Sequence, residues 1–339
     1  MAARPARRML SLHQLYGITL ETDVAFANRL IPGTGEPQLR FQRHPRPPQG
    51  PALPGRRHLG DHPTRVDGQP YSQLFAFDGG HLLSFPTVAD FVLRAESIDV
   101  YVDERLDDGL SETVVELRFL GPVMALWLEL RETLALHASA VVVDGAAIGF
   151  LSHGKGGKTS VAAALLGQGH PLLTDDLLAV TVDGEATGHP GFATMRMWPA
   201  EAEFFVGGAE QLPIVHPFYD KRRVPVGGPD GALGAFEHQA RPLRALYVLE
   251  RALDEIGPWF EVSPLSAGEA LPHLLRHSTA PYLTTSGLAP ERFRRLVELL
   301  RVVPVRHVLH ATPREDLQAL ASALAADASA LCSRSAVRS

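Results

Sequence analysis

The chain has 339 residues, 45% of them hydrophobic and 21% charged, which suits a soluble globular protein with room for two modest domains. A formal net charge of −6 and a pI near 6.2 argue against nucleic acid as the main partner, because phosphate backbones are usually met by a basic excess. The single cysteine, Cys332, excludes an internal disulfide and a thiolate metal cluster. No run approaches the ~18 apolar residues of a membrane span, and the basic start, residues 1–8, is not followed by an apolar segment of signal-peptide length. A cytoplasmic protein with no membrane partner is the expectation.

In chain order, residues 16–20 and 38–42 read as strands, and 43–65, rich in Pro, Arg and His, as an exposed loop. Residues 74–77 and 81–85 flank Asp78-Gly79-Gly80, a hairpin signal, and 91–93 and 98–102 continue the β pattern. Residues 113–136 repeat apolar positions at helical spacing, with a break at Gly121-Pro122. The predicted division is a β-rich domain over 1–112, a second domain over 113–327 and a flexible tail over 328–339. Within the second domain, 138–151 reads as a buried hairpin turning at Asp144-Gly145. A helix follows over 159–169, closed by a glycine, then strands at 177–182 and 242–250. Helices are expected at 267–277, 290–302 and 314–327.

The chemistry concentrates where an apolar strand runs into Ser152-His153-Gly154-Lys155-Gly156-Gly157-Lys158-Thr159-Ser160 and then into a helix. This is the order of a phosphate-binding P-loop. Glycines let backbone amides curl around phosphate oxygens, and the helix start adds partial positive charge. Lys158 is placed to neutralise the β- and γ-phosphates, and the Thr159 hydroxyl to hold Mg²⁺. Ser152 stands where the strict motif has glycine, a substitution that a negative φ would accommodate. The other reading of this stretch is a plain surface turn. Asp175-Asp176 follows the helix, and two acids at the mouth of an apolar strand suit a metal–phosphate site, with a solvated turn as the alternative. In the first case Asp175 would deprotonate an attacking hydroxyl and Asp176 would bind Mg²⁺. His137 opens the strand before the loop and has a structural reading too. Lys221 and Arg222 belong to a basic cluster that could face a phosphoryl group.

Together, His137 before a hairpin, the glycine loop, Gly169-His170 and Asp175-Asp176 resemble the catalytic domain of HPr kinase/phosphorylase, over residues 136–250. The segments Leu136-His-Ala-Ser-Ala-Val141 and Lys221-Arg-Arg-Val-Pro225 are still more similar to the HPr-kinase-related proteins of bacterial peptide-modification clusters, notably lasso-peptide clusters. The resemblance implies an α/β P-loop catalytic domain, also similar to phosphoenolpyruvate carboxykinase, behind a β-rich N-terminal domain. It implies ATP and Mg²⁺ as cofactors and a serine hydroxyl on a peptide or protein as acceptor. Lys158 and Thr159 match the loop lysine and hydroxyl, Asp175 the general base, Asp176 the second acid and His137 the histidine near the phosphates. Lys221 or Arg222 matches the later basic segment. The chain departs from the family at Ser152. It also lacks the family's glutamate-arginine-glycine signature, where it keeps only Arg196. A non-catalytic nucleotide-binding peptide chaperone and a kinase of a small hydroxylated metabolite remain alternatives. A homo-oligomer is compatible with the sequence.

Overall fold

The computed structural model describes residues 10–47, 49–86, 88–103, 108–154, 156–216, 219–229, 231–252, 259–277 and 289–336. It is a mixed α/β structure built on two large sheets. The first runs, in spatial order, Ile31–Pro32, Ser11–Leu15, Ile18–Thr22, Leu39–Pro45, Ser97–Val102, Ala89–Leu93, Gly80–Phe85, Gln73–Phe77 and Arg57–Asp61. The hairpin expected around Asp78 is present. Tyr16, expected in a strand, instead turns the first hairpin with Gly17, at φ angles of 53° and 84°. The segment expected as a loop over 43–65 carries the end of Leu39–Pro45 and the edge strand Arg57–Asp61. That edge strand is polar and only partly buried, a usual property of sheet edges.

A helical stretch then packs on this sheet. It comprises Asp108–Arg118, a wider π-helical turn over Phe119–Val123 and Met124–Glu129. The expected break falls at Gly121, whose φ/ψ of −108°/−106° leaves the helical region just before Pro122. Residues 134–136, expected as the end of this helix, are a strand, Leu134–Leu136, of the second sheet. Phe119 stacks on Phe41 at 3.8 Å, and the buried cluster around them reaches Ala135, Leu177 and Ala179, so the two sheets share a core.

The second sheet orders Leu134–Leu136, Leu178–Asp183, Glu185–His189, Arg241–Arg251, Ala146–Ser152, Ala138–Val143 and Leu172–Thr174, and Val305–His310 also pairs with Arg241–Arg251. Its central strands are apolar at nearly every position because both faces are covered. Val141, Ile148, Phe150, Ala245 and Tyr247 point to one face, under the helices Lys158–Gly167 and Leu317–Ala336. Ala140, Val142, Leu246 and Val248 point to the other, under Ala267–Arg276 and Ala289–Val302. The last helix runs past its expected end at 327, and residues 337–339 lie outside the described residues. It continues through 328 to Ala336, because Leu317, Leu320, Ala321, Leu324 and Ala328 repeat at helical spacing and are buried on the sheet. Its many alanines are good helix formers.

Three strands in this sheet set the site. Ala146–Ser152 runs parallel to Arg241–Arg251, which runs parallel to Val305–His310. Their carboxyl ends, Ser152, Arg251 and His310, therefore lie along one edge, where open α/β sheets place ligands. No helix among the described residues is long and apolar enough to cross a membrane.

Candidate functional site

The glycine loop leaves the strand end at Ser152 and enters the helix Lys158–Gly167 through Gly157, whose φ of 92° a side chain would resist. Ser152 keeps a negative φ, so its position in the motif carries no backbone strain. A second condition admits it. A Cβ added to Gly156 would lie 2.7 Å from the Ser152 Cβ, so the serine side chain occupies space that only a glycine at 156 leaves open. Gly156 N–H donates to the His153 carbonyl at 2.9 Å, which closes the turn. Lys155 lies outside the described residues.

The loop helix breaks the usual rules for a helix start. No side chain caps it, its first turn holds no acid, and Lys158 adds a positive charge where the helix dipole is already positive. The Lys158 ammonium donates to His137 Nε2 at 3.1 Å. An ammonium can only donate, so Nε2 accepts and the ring proton sits on Nδ1, from which it bonds the Asp176 carbonyl at 2.9 Å. Burial lowers the pKa of His137, which fits this neutral tautomer.

The two aspartates follow the short strand Leu172–Thr174 and differ in setting. Asp175 is buried. Its Oδ1 accepts from the Ser139 hydroxyl at 2.5 Å and from the Thr159 hydroxyl at 3.3 Å, and its Oδ2 from the Arg196 amide at 3.0 Å. Asp176 has a φ of 80°, rare outside glycine though better tolerated by aspartate, and its side chain is 31% exposed. Its Oδ2 pairs with Arg196 Nη1 at 2.8 Å, and its Oδ1 stands 3.4 Å from His137 Nδ1. Burial opposes the charge of Asp176, but the Arg196 guanidinium, then His137, Lys158 and Lys221, hold the carboxyl well below the usual carboxylate range.

A cavity of about 510 Å³ opens over the loop. Gly154, Gly157, Lys158, Thr159 and Ser160 form one wall, and Arg196, Trp198, Pro199, Ala200 and Glu201 another, with Lys221, Arg251 and Arg314 at the remaining sides. Arg196 is almost fully buried, and its Nε and Nη2 have no hydrogen-bond partner. Ser160 donates to Glu201, whose other oxygen accepts from the Trp198 amide at 3.2 Å.

Most of the sequence candidates thus converge: His137, Lys158, Thr159, Asp175, Asp176, Arg196 and Lys221 form one connected site. Arg222 does not line the cavity, since strand alternation along Tyr219–Pro225 turns it away from Lys221. His153 is exposed and lies against Arg276, at 3.3 Å, and the His277 ring, at 4.7 Å, rather than along the cavity. Six lining residues were not foreseen: Trp198, Pro199, Ala200, Glu201, Arg251 and Arg314. Ser139 was also missed as a partner of Asp175, although it stands two residues after His137. Arg251 ends the strand that lies parallel beside the loop strand. Among the described residues no group of three metal-ligating side chains occurs.

No protein-family model matches the chain, and no curated protein matches it. Among solved structures, the Hpr(Ser) kinase/phosphatase from Coxiella burnetii aligns over 57% of this chain and 94% of its own, at 14% identity and a TM-score of 0.28. At that score the likeness adds nothing to the geometry above.

Proposed function

We propose that the chain is an ATP-dependent phosphotransferase acting on a hydroxyl group. The observation that carries this is the convergence of two positive features on one cavity. The loop helix presents an uncapped start with Lys158 in its first turn, and Arg196, paired with Asp176, lines the same cavity. A polyanion with several oxygens, such as a nucleotide triphosphate, satisfies both at once.

Mg²⁺ fits this arrangement. It is usually held by one or two protein oxygens, with phosphate and water completing its shell. Thr159 and Asp175, whose oxygens are 3.3 Å apart, would hold it, and it would neutralise phosphate charge as the γ-phosphoryl group leaves. This gives Asp175 the metal-side role and reverses the division of labour expected from sequence. Asp175 is buried with three hydrogen bonds accepted, which leaves little room for an incoming hydroxyl. Asp176 is the accessible carboxylate and is proposed to take the acceptor's proton. Its strong ionisation argues against basicity only while Arg196 is devoted to it. A phosphate that draws on Arg196 weakens that hold, and its negative charge raises the proton affinity of Asp176. His137 locks the turn by bonding the Asp176 carbonyl and orients Lys158.

The acceptor proposed is a serine of a peptide or protein, in keeping with the sequence resemblance. Incubation of candidate serine peptides with ATP and Mg²⁺, followed by mass spectrometry, should show a single phosphate added. Asp176→Asn should still bind ATP and lose transfer by ~10²–10⁴-fold. Asp175→Asn should instead shift the Mg²⁺ requirement upward. Full turnover by Asp176→Asn on a verified acceptor would refute the base assignment.

A further inference from the structure

The cavity has a wall that a triphosphate does not need. Trp198, Pro199 and Ala200 offer apolar surface on the side that also carries Arg314. The Arg314 guanidinium carbon lies 5.9 Å from the centroid of the Phe204 ring, and Phe204 is itself 47% exposed. Arg314 forms no ion pair among the described residues, so the aromatic ring is what positions it. It stands in the short turn Arg314–Asp316, just past the carboxyl end of the strand Val305–His310. A guanidinium laid on a ring presents a flat, weakly hydrated face, which suits stacking against another planar group. The phosphates already have Lys158, the loop amides and Arg196.

We propose that Arg314, backed by Phe204, and Trp198 form the subsite for the base of the bound nucleotide. This rests on the phosphotransferase reading and extends it: the phosphates lie on the glycine loop, and the base lies on the apolar wall. Lys221, whose ammonium is 5.7 Å from the centroid of the Trp198 ring, steadies that indole. The site therefore selects a nucleoside triphosphate over a bare polyphosphate.

Calorimetry of the full chain with Mg²⁺–ATP and with Mg²⁺–tripolyphosphate separates the two parts of the cavity. Wild type should bind ATP about tenfold or more tightly than tripolyphosphate, the scale of one stacking contact. Arg314→Ala should lose most of that preference and leave tripolyphosphate affinity within about twofold. Arg314→Lys should behave like the alanine variant, since lysine keeps the charge without the plane. Phe204→Leu should weaken ATP alone. Equal binding of both ligands by wild type would overturn the proposal, as would an Arg314→Ala variant that weakens both ligands alike or an Arg314→Lys variant that binds ATP normally. Binding of neither ligand would instead bring down the phosphotransferase reading, and this subsite with it.

Discussion

Ser152 and Gly156 show how one residue's identity depends on another's. The strict motif places glycine at 152, yet this chain has serine there, with a negative φ and its Cβ directed at Gly156. A Cβ at 156 would meet it at 2.7 Å, closer than real Cβ atoms approach. Gly156→Ala should therefore distort the loop and weaken Mg²⁺–ATP binding by tenfold or more, while Ser152→Gly alone should leave it nearly unchanged. The double variant should recover much of the loss, because the clash is gone. Calorimetric affinities for the four proteins make this a complete cycle, and additive losses would show that the two positions are not coupled. The local motif was legible because its parts are adjacent in sequence: glycines, Lys158-Thr159 and the following helix. The partners that decide the division of labour between Asp175 and Asp176 are not adjacent. Arg196 reaches both aspartates from a separate small sheet, and the sequence marked it as the remnant of a signature without showing which residues it meets.

At the scale of elements, the buried second sheet was the easiest part to read. Its strands are apolar on both faces, and the turn at Asp144-Gly145 carries positive φ at both residues, 48° and 77°. The polar edge of the first sheet was the hardest, since Arg57–Asp61 is held by backbone pairing and little burial. The helix Leu317–Ala336 was read short because its second half is built from alanine and serine. Only the spacing of Leu317, Leu320, Leu324 and Ala328 marks the buried face. Arg251 and Arg314 were beyond sequence reasoning for a related cause. Arg251 ends one parallel strand and Arg314 lies past the end of the next, and which strands are neighbours is a matter of topology.

Across the whole molecule, histidine burial sets the response to pH. His13, His62, His81, His137, His189, His216, His273, His277 and His310 all titrate below the ordinary value, chiefly because burial penalises their charged form, and His277 falls to about 3. Each binds its proton more weakly folded than unfolded. As pH falls below about 6.5 the unfolded chain takes up protons first, so stability is lost on acidification. Calorimetric melting should give a Tm several degrees lower at pH 5.5 than at pH 7.5. An unchanged or higher Tm at pH 5.5 would contradict the burial of these rings in neutral form. The central claim, that the cavity beside Lys158 and Arg196 holds a nucleotide triphosphate, is tested most directly by titrating Mg²⁺–ATP into the full chain in a calorimeter. The predicted result is saturable, Mg²⁺-dependent binding at one site per chain, weakened roughly ten- to hundredfold by Lys158→Ala through the loss of one charge-assisted contact. Wild-type protein that takes up no ATP in the presence of Mg²⁺, or a Lys158→Ala variant that binds as tightly as wild type, would contradict it.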